Sequence, residues 1–253
     1  MHTIVTLLTD FGTADGYVAE MKGVLVSLAP EVTLVDVAHD LPAHDVEAAR
    51  LAVARYWMRF PPGTVHMVVV DPGVGGARAA IAAACEGRFL VGPDNGVLSP
   101  ALLHRDARCV RLTIPANASP TFHGRDVFAP AAAQLASGVA LDALGEPYDD
   151  PVVRRTPEAV RRADGGVEGV VIAVDRFGNL ITNLIAHRGG GVELAGQMVP
   201  LARTYSDVGE GALVALTGSA GLLEIAVRDG SAAHRLGLGR GDAVVLLPPG
   251  GKS

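Results

Sequence analysis

Asp71-Pro72-Gly73-Val74-Gly75-Gly76-Ala77-Arg78 places a carboxylate and a guanidinium at the two ends of a glycine-rich loop. The loop follows directly on Val65-His66-Met67-Val68-Val69-Val70, a β-rich apolar run that reads as a buried strand. Open α/β sheets bind ligands beyond the carboxyl ends of their strands, so this Asp and Arg stand where such a sheet does its chemistry. A surface ion pair on a glycine turn would be written in the same letters, because Asp-Pro-Gly is ordinary turn vocabulary. Asp10, His39, Asp40 and His123 also fall at or near strand ends or helix starts. Carboxylate and imidazole together can hold a divalent metal. They can also grip an organic ligand while a carboxylate–imidazole–arginine set acts on it. The chain has no helical i, i+4 ligand pair, no Cys pair and no Glu-x-x-His at these places, which favours the organic ligand.

Asp10 precedes Phe11-Gly12, where a carboxylate can accept both hydroxyls of a ribose or cap the next turn. No glycine-rich phosphate loop follows the first strand, so a nucleoside without phosphates fits better than ATP or NAD. Further along, Asp175-Arg176-Phe177-Gly178-Asn179 interrupts a β pattern. An exposed Phe beside an Asn amide suits a flat heteroaromatic base, and an ordinary hairpin turn would also fit. In Gly218-Ser219-Ala220-Gly221-Leu222-Leu223-Glu224, main-chain N–H groups and the Ser219 hydroxyl could hold a carboxylate.

The elements that must position these residues change character along the chain. The first half alternates strands (3–8, 32–37, 65–70) with helices (17–28, 45–59). Asp45 is the expected N-cap of the second helix, with Val46, Ala49, Val53, Trp57 and Phe60 at helical spacing. Residues 79–84 and 88–91 flank Glu86-Gly87 as a hairpin, residues 109–114 form a strand, and an alanine-rich helix runs over 127–136 up to Gly138. This alternation predicts an α/β fold, an N-terminal mostly parallel sheet sandwiched between helices, over residues 1–150. Residues 151–166 read as a polar linker carrying Arg154, Arg155, Arg161 and Arg162. From 167 to 253 the strands are short and close-set (169–174, 180–184, 197–201, 213–217, 222–227, 243–247), the spacing of a smaller all-β barrel.

Bulk composition fits that picture. The 253 residues are 49% hydrophobic and 19% charged, enough for sizeable cores, and the net charge of −6 gives no nucleic-acid footprint. Two cysteines, Cys85 and Cys109, make neither a disulfide framework nor a four-ligand zinc site, and read as free thiols in a reducing cytoplasm. The start of the chain reads as a first strand rather than a leader, and no apolar run approaches membrane-spanning length. A cytoplasmic protein without membrane or nucleic-acid partners is expected.

Six segments taken together carry a family resemblance. They are Thr9-Asp10-Phe11-Gly12, Asp71-Pro72-Gly73-Val74-Gly75, Gly92-Pro93-Asp94-Asn95-Gly96, Phe122-His123-Gly124-Arg125-Asp126, Phe177 to Asn183, and Ser219 to Glu224. In this order the chain resembles the S-adenosyl-L-methionine (SAM) hydrolases, or SAM hydroxide adenosyltransferases, which are relatives of the SAM-dependent fluorinase and chlorinase. The resemblance implies attack of water or hydroxide on the ribose C5′, releasing adenosine and methionine, with no cofactor and no metal. It implies a homotrimer with SAM between the N-terminal domain of one subunit and the C-terminal domain of its neighbour. Asp71, Arg78 and His123 match the water-activating triad. Asp10 matches the ribose-diol ligand and Asn179 the adenine contact, beside the Phe177 already read as a stacking ring. Asp175 and Ser219 match the contacts to the methionine amine and carboxylate, and Glu224 belongs to the same binding segment. Which of Asp71 and His123 takes the proton stays open.

The halogenases resemble the chain in fold but place a tyrosine where Asp71 stands. The fluorinase carries a long insertion where Glu86-Gly87 makes a short turn here, a serine at Gly124 (the chlorinase keeps glycine), and a tryptophan at His44. The resemblance therefore favours hydrolase over halogenase, with a SAM or adenosine sensor as the reading from a different class.

Overall fold

In the computed structural model, residues 3–185 and 190–248 are described. Met1 and His2, which open the stretch read as a first strand, lie outside them. The chain divides into two compact units, Met1–Arg154 and Arg155–Ser253.

The first unit is built on a seven-stranded sheet. Its strands are β1 (Ile4–Thr9), β2 (Thr33–Ala38), β3 (Val65–Val69), β4 (Ala80–Cys85), β5 (Arg88–Pro93), β6 (Arg108–Leu112) and β7 (Gly145–Pro147), in the order β2-β1-β3-β5-β4-β6-β7. The pairings β2–β1, β1–β3 and β3–β5 are parallel. The expected Glu86-Gly87 hairpin reverses the chain, so β5–β4, β4–β6 and β6–β7 are antiparallel. The parallel character therefore belongs to one half of the sheet, the half that carries Asp10 and Asp71.

Helices cover both faces because β3 is apolar on both. Val65, Met67 and Val69 pack with Val18, Met21 and Leu25 of α1 (Tyr17–Leu28) and with the alanines that follow Phe128. Val68 and Val70 pack with Val46, Ala49 and Val53 of α2 (Val46–Tyr56), and with Trp57. Asp45 caps α2, its Oδ1 accepting from Ala48 N at 3.0 Å. The helix ends sooner than its apolar spacing suggests, in a single 3-10 turn over Trp57–Arg59, and Phe60 is already extended. A four-residue helix α3 (Ser99–Leu102) follows β5. The alanine-rich helix α4 (Ala129–Ala136) is preceded by a π-helical turn, Gly124–Phe128, that begins right after His123. Such insertions are frequent at functional sites.

The stretch read as a linker is ordered at both ends. Val152 N donates to Asp94 Oδ1 at 2.7 Å, and Arg154 N donates to Ser99 Oγ at 2.8 Å. Val160–Arg161 forms β8. Arg154 Nε donates to the Asn95 carbonyl and Arg162 pairs with Asp164.

The second unit is an eight-stranded antiparallel sheet. It comprises β8, β9 (Val167–Val174), β10 (Leu180–Thr182), β11 (Val192–Leu194), β12 (Gln197–Val199), β13 (Leu213–Thr217), β14 (Leu223–Val227) and β15 (Ala243–Leu246), with a short helix α5 (Ala232–Leu236). The path β12-β11-β15-β9-β10-β14-β13 is closed by a bridge from Leu201 to Ala215. Ala215 N donates to Pro200 O at 2.9 Å and Ala202 N to Ala215 O at 2.8 Å. The expected barrel is thus present. The strand expected over 197–201 is β12; β11, which was not expected, pairs with it through a turn at Ala195 (φ 49°) and Gly196 (φ 71°).

Candidate active site

Thr9 of β1 lies opposite Val69 of β3, so Asp10 and Asp71 leave the same edge of the parallel half-sheet on adjacent strands. Asp71 follows the buried Val70, whose carbonyl accepts from Asn95 Nδ2 at 2.9 Å. Asn95 lies in the Gly92–Gly96 segment, where its spacing alone assigns it no role. Its amide ties the loop after β5 to the last peptide before Asp71.

The loop turns immediately. Val74 N donates to the Asp71 carbonyl at 3.2 Å and Gly76 N to the Gly73 carbonyl at 3.1 Å, which brings Arg78 back over Asp71. Arg78 Nε donates to Asp71 Oδ1 at 2.9 Å and Nη2 donates to Asp71 Oδ2, a bidentate pair. The same Nη2 meets His123 Nδ1 at 2.9 Å. The two side chains of the ion pair are only 10% and 5% exposed. The Arg78 guanidinium also lies 5.4 Å from the Phe128 ring centre, a cation–π contact that holds its plane.

Gly75 explains how His123 reaches this pair. It has φ +72°, and a Cβ there would sit 2.2 Å from the Pro120 carbonyl. The loop therefore lies flat against the segment that leads into His123, an approach only glycine permits.

Arginine has donors and no acceptor. His123 Nδ1 must accept from Arg78, which places the ring proton of neutral His123 on Nε2. Burial lowers the His123 pKa, the Arg78 charge lowers it further, and Asp71 and Asp126 pull it the other way. The cluster is thus a carboxylate, a guanidinium and a neutral imidazole with Nε2–H as donor.

Asp10 is held differently. Its Oδ2 accepts from the main-chain N–H of His44 at 2.7 Å. His44 is exposed and has φ 66°, so its contribution is backbone rather than imidazole. His39 is buried in a hydrogen-bonded network behind Asp10, and Asp40 is exposed. Neither makes a hydrogen bond to the Asp71 cluster.

In the second unit Asp175 caps its own turn. Oδ1 accepts from Phe177 N and Asn179 N, each at 2.9 Å, and Oδ2 accepts from Asn179 Nδ2 at 3.0 Å. Asn179 is buried, with one of its two amide protons committed to Asp175, whereas Phe177 is 76% exposed and free to stack on a ligand. Ile181 of β10 lies opposite Glu224 of β14, so the Asp175 turn and Glu224 come from adjacent strands. Glu224 is 7% exposed. Its Oε1 accepts from the Tyr205 hydroxyl, and its Oε2 lies 2.6 Å from where a Gly218 Cβ would stand. That hydrogen bond, with burial and the charges of Glu224 and Asp175 behind it, pushes the Tyr205 phenol up to about 12. Tyr205 was absent from the sequence reading. Its signal was the Thr204-Tyr205-Ser206-Asp207 capping box, which orders the turn but does not reveal the phenol's partner. Ser219 lies exposed in the turn after β13. The neighbouring N–H groups of Gly218 and Gly221 donate to the carbonyls of Leu222 and Gly218.

Among the described residues, no group of three or more His, Cys, Asp or Glu is placed to hold a metal ion, and no helix is long and apolar enough to cross a membrane.

The SAM hydroxide adenosyltransferase N-terminal domain model matches residues 5–145, and the corresponding C-terminal domain model matches residues 169–245. A Thermus thermophilus protein named (R)-S-adenosyl-L-methionine hydrolase is 47% identical, over 96% of this chain and 99% of its own. A fluorinase from Actinopolyspora mzabensis is 31% identical, over 95% and 96%. The crystal structure of a conserved protein from Thermotoga maritima superposes with a TM-score of 0.88 at 33% identity, covering 96% of this chain and 99% of that one. Matched by both domain models and by relatives along nearly its whole length, the chain belongs to the SAM hydroxide adenosyltransferase family.

Proposed function

We propose that this protein hydrolyses SAM to adenosine and L-methionine. The observation that carries the reading is Arg78 donating at once to Asp71 and to His123 Nδ1. A sulfonium releases a neutral thioether, so the leaving group needs neither a general acid nor a metal. The reaction lacks only a positioned nucleophile, and positioning alone is worth several kcal/mol.

The oxygen of water attacks C5′ as the C5′–S bond breaks, its electron pair passing to sulfur. His123 donates Nε2–H to that oxygen and orients it. It cannot take the proton, because Nδ1 is occupied by Arg78 and Nε2 already carries hydrogen. Asp71 keeps two lone-pair sites after its two bonds from Arg78, and a carboxylate is the only anionic acceptor in the cluster. The proton therefore goes to Asp71. Arg78 holds both groups and favours the developing hydroxide character by charge.

Asp10 takes the ribose hydroxyls. Phe177 and Asn179 take the adenine, and Asp175, Ser219 and Glu224 the methionine end. No cofactor takes part, and SAM is the substrate. We also read the protein as a cytoplasmic homotrimer in which neighbouring subunits contribute to each site. Sedimentation of the purified protein tests the trimer. The free thiols Cys85 and Cys109 support a reducing compartment.

The test is incubation with SAM in ¹⁸O-labelled water. Adenosine labelled at the 5′ oxygen, together with methionine, is the expected product. Bound SAM without adenosine would overturn the reading. With chloride added, 5′-chloro-5′-deoxyadenosine would identify a halogenase instead, an outcome that the Asp71 carboxylate opposes.

A further inference from the structure

His39 was singled out by its place at a strand end, and the proposed reaction does not use it. Its surroundings are nonetheless highly organised. Thr9 Oγ1 and His39 Nδ1 are 2.8 Å apart, His39 Nε2 and Asp36 Oδ1 3.0 Å, and Lys22 Nζ donates to Asp36 Oδ2 at 2.6 Å. Thr9 is 1% exposed and His39 6%. In an open cleft the same three side chains would be a nucleophile, its base and the group that orients the base. Here the hydroxyl is buried and committed, so the arrangement serves geometry rather than bond making.

We propose that His39, acting through Thr9, is the positioning residue for Asp10; the proposal rests on the reading of Asp10 as the ribose-diol ligand. The direction of the hydrogen bonds can be assigned. Burial would raise the Asp36 carboxyl, but the bonds from His39 and Lys22 outweigh it and hold the group below its ordinary value. Asp36 is thus an acceptor and His39 Nε2 carries the proton. In the neutral ring Nδ1 accepts, so the Thr9 hydroxyl donates to it and is left with lone pairs. One of these accepts from Phe11 N at 3.3 Å. The His39 carbonyl meanwhile accepts from Gly12 N at 2.6 Å. His39 therefore fixes the residue before Asp10 through its ring and the second residue after it through its backbone, and Thr9 ties across Asp10 to Phe11. The carboxylate itself is held by His44 N, from the loop after β2. Asp10 thus stands between residues fixed on both sides of it, with His44 N on its carboxylate.

Thr9→Val tests the wiring, because it keeps the shape and removes only the hydroxyl. The expected result is about tenfold weaker adenosine binding by calorimetry and a similar rise in KM for SAM, with kcat changed less than about threefold. Binding of 2′,3′-dideoxyadenosine should be unchanged, since it offers no hydroxyls to Asp10. His39→Leu should behave like Thr9→Val. His39→Asn, whose amide reaches the Thr9 position, should recover most of the loss. In an Asp10→Asn background, Thr9→Val should have no further effect on adenosine affinity. If Asp10→Asn alone leaves adenosine affinity unchanged, the ribose reading fails and takes the proposal with it. If Asp10→Asn weakens adenosine and Thr9→Val does not, the proposal alone is overturned. Equal weakening of adenosine and dideoxyadenosine by Thr9→Val would also overturn it, because that is a general loss of shape.

Discussion

In the N-terminal unit a carboxylate is held by a guanidinium, and in the C-terminal unit carboxylates are held by main-chain amides and a phenol. Asp71 receives two bonds from Arg78, which cancel its charge within the cluster. Asp175 receives two main-chain N–H groups and the Asn179 amide, and Glu224 receives the Tyr205 hydroxyl. Those donors stabilise a negative charge without neutralising it. The first arrangement fixes geometry for one bond-making event and makes each member depend on the others. The second keeps anionic charge available for a cationic ligand such as an amine or a sulfonium. Damage to the first should appear in the rate, and damage to the second in the affinity.

The contrast is tested most severely at Asp71. Asp71→Asn should lower kcat by roughly a thousandfold, with the SAM dissociation constant within about threefold of the parent. Adenosine formation and calorimetry give the two numbers. Asp71→Ala should in addition destabilise the fold by about 3–5 kcal/mol in urea unfolding, because Arg78 is left buried and unpaired. The opposite pattern is expected of Asp175→Asn, which keeps the oxygen that accepts from Phe177 N and Asn179 N, replaces the other with an amide donor and removes the charge. SAM binding should weaken by roughly tenfold to a hundredfold and kcat should stay within about threefold. A loss of kcat as large as that of Asp71→Asn would erase the distinction.

Acid titration gives a third, milder test. Burial and Arg78 favour neutral His123, so its pKa in the folded protein lies below the ordinary histidine value of about 6.5. The cluster should stay intact as pH falls through that value, and kcat should decline only below it, as His123 gains a proton and loses its bond from Arg78. The stability contributed by the neutral ring runs the same way: present above pH 6.5 and lost as pH falls through the lowered value. A kcat profile centred at or above 6.5 would contradict the tautomer assignment. The smallest effect is expected at Tyr205→Phe. It removes one hydrogen bond to Glu224 and should weaken SAM binding by about fivefold with kcat unchanged.

How much of this was legible depended on the reach of each interaction along the chain. The helix over Tyr17–Leu28 and the strand into Asp71 announce themselves by apolar period, because one or both of their faces are buried. The Asp71–Arg78 pair could be suspected because both residues lie in one loop. The bond from Arg78 to His123 could not be read from spacing. It joins residues 45 apart and exists because Gly75 lets two loops touch. His44 entered only as the position of the fluorinase's tryptophan, and its side chain is exposed, yet its backbone N–H holds Asp10. Main-chain donors leave no trace in residue identity. Tyr205 is a similar case, since a phenol's partner is set by which strands become neighbours. β12 falls within the strand expected over 197–201, but its hairpin partner β11 escaped, because three residues are too few to show an alternation.

The bridge between Leu201 and Ala215 has a consequence for how copies of this protein can meet. An open sheet offers a row of unpaired N–H and C=O groups on which another chain can grow a strand, and the parallel bridge takes that row away where β12 and β13 meet, with β8 left off the closed path. Recognition by the C-terminal unit therefore falls to turns and side chains, whose fit is discriminating, rather than to main-chain edges, which accept nearly any extended partner. Through this one bridge the fold discourages indiscriminate stacking while it leaves the Asp175 turn and Phe177 exposed for contacts that depend on shape.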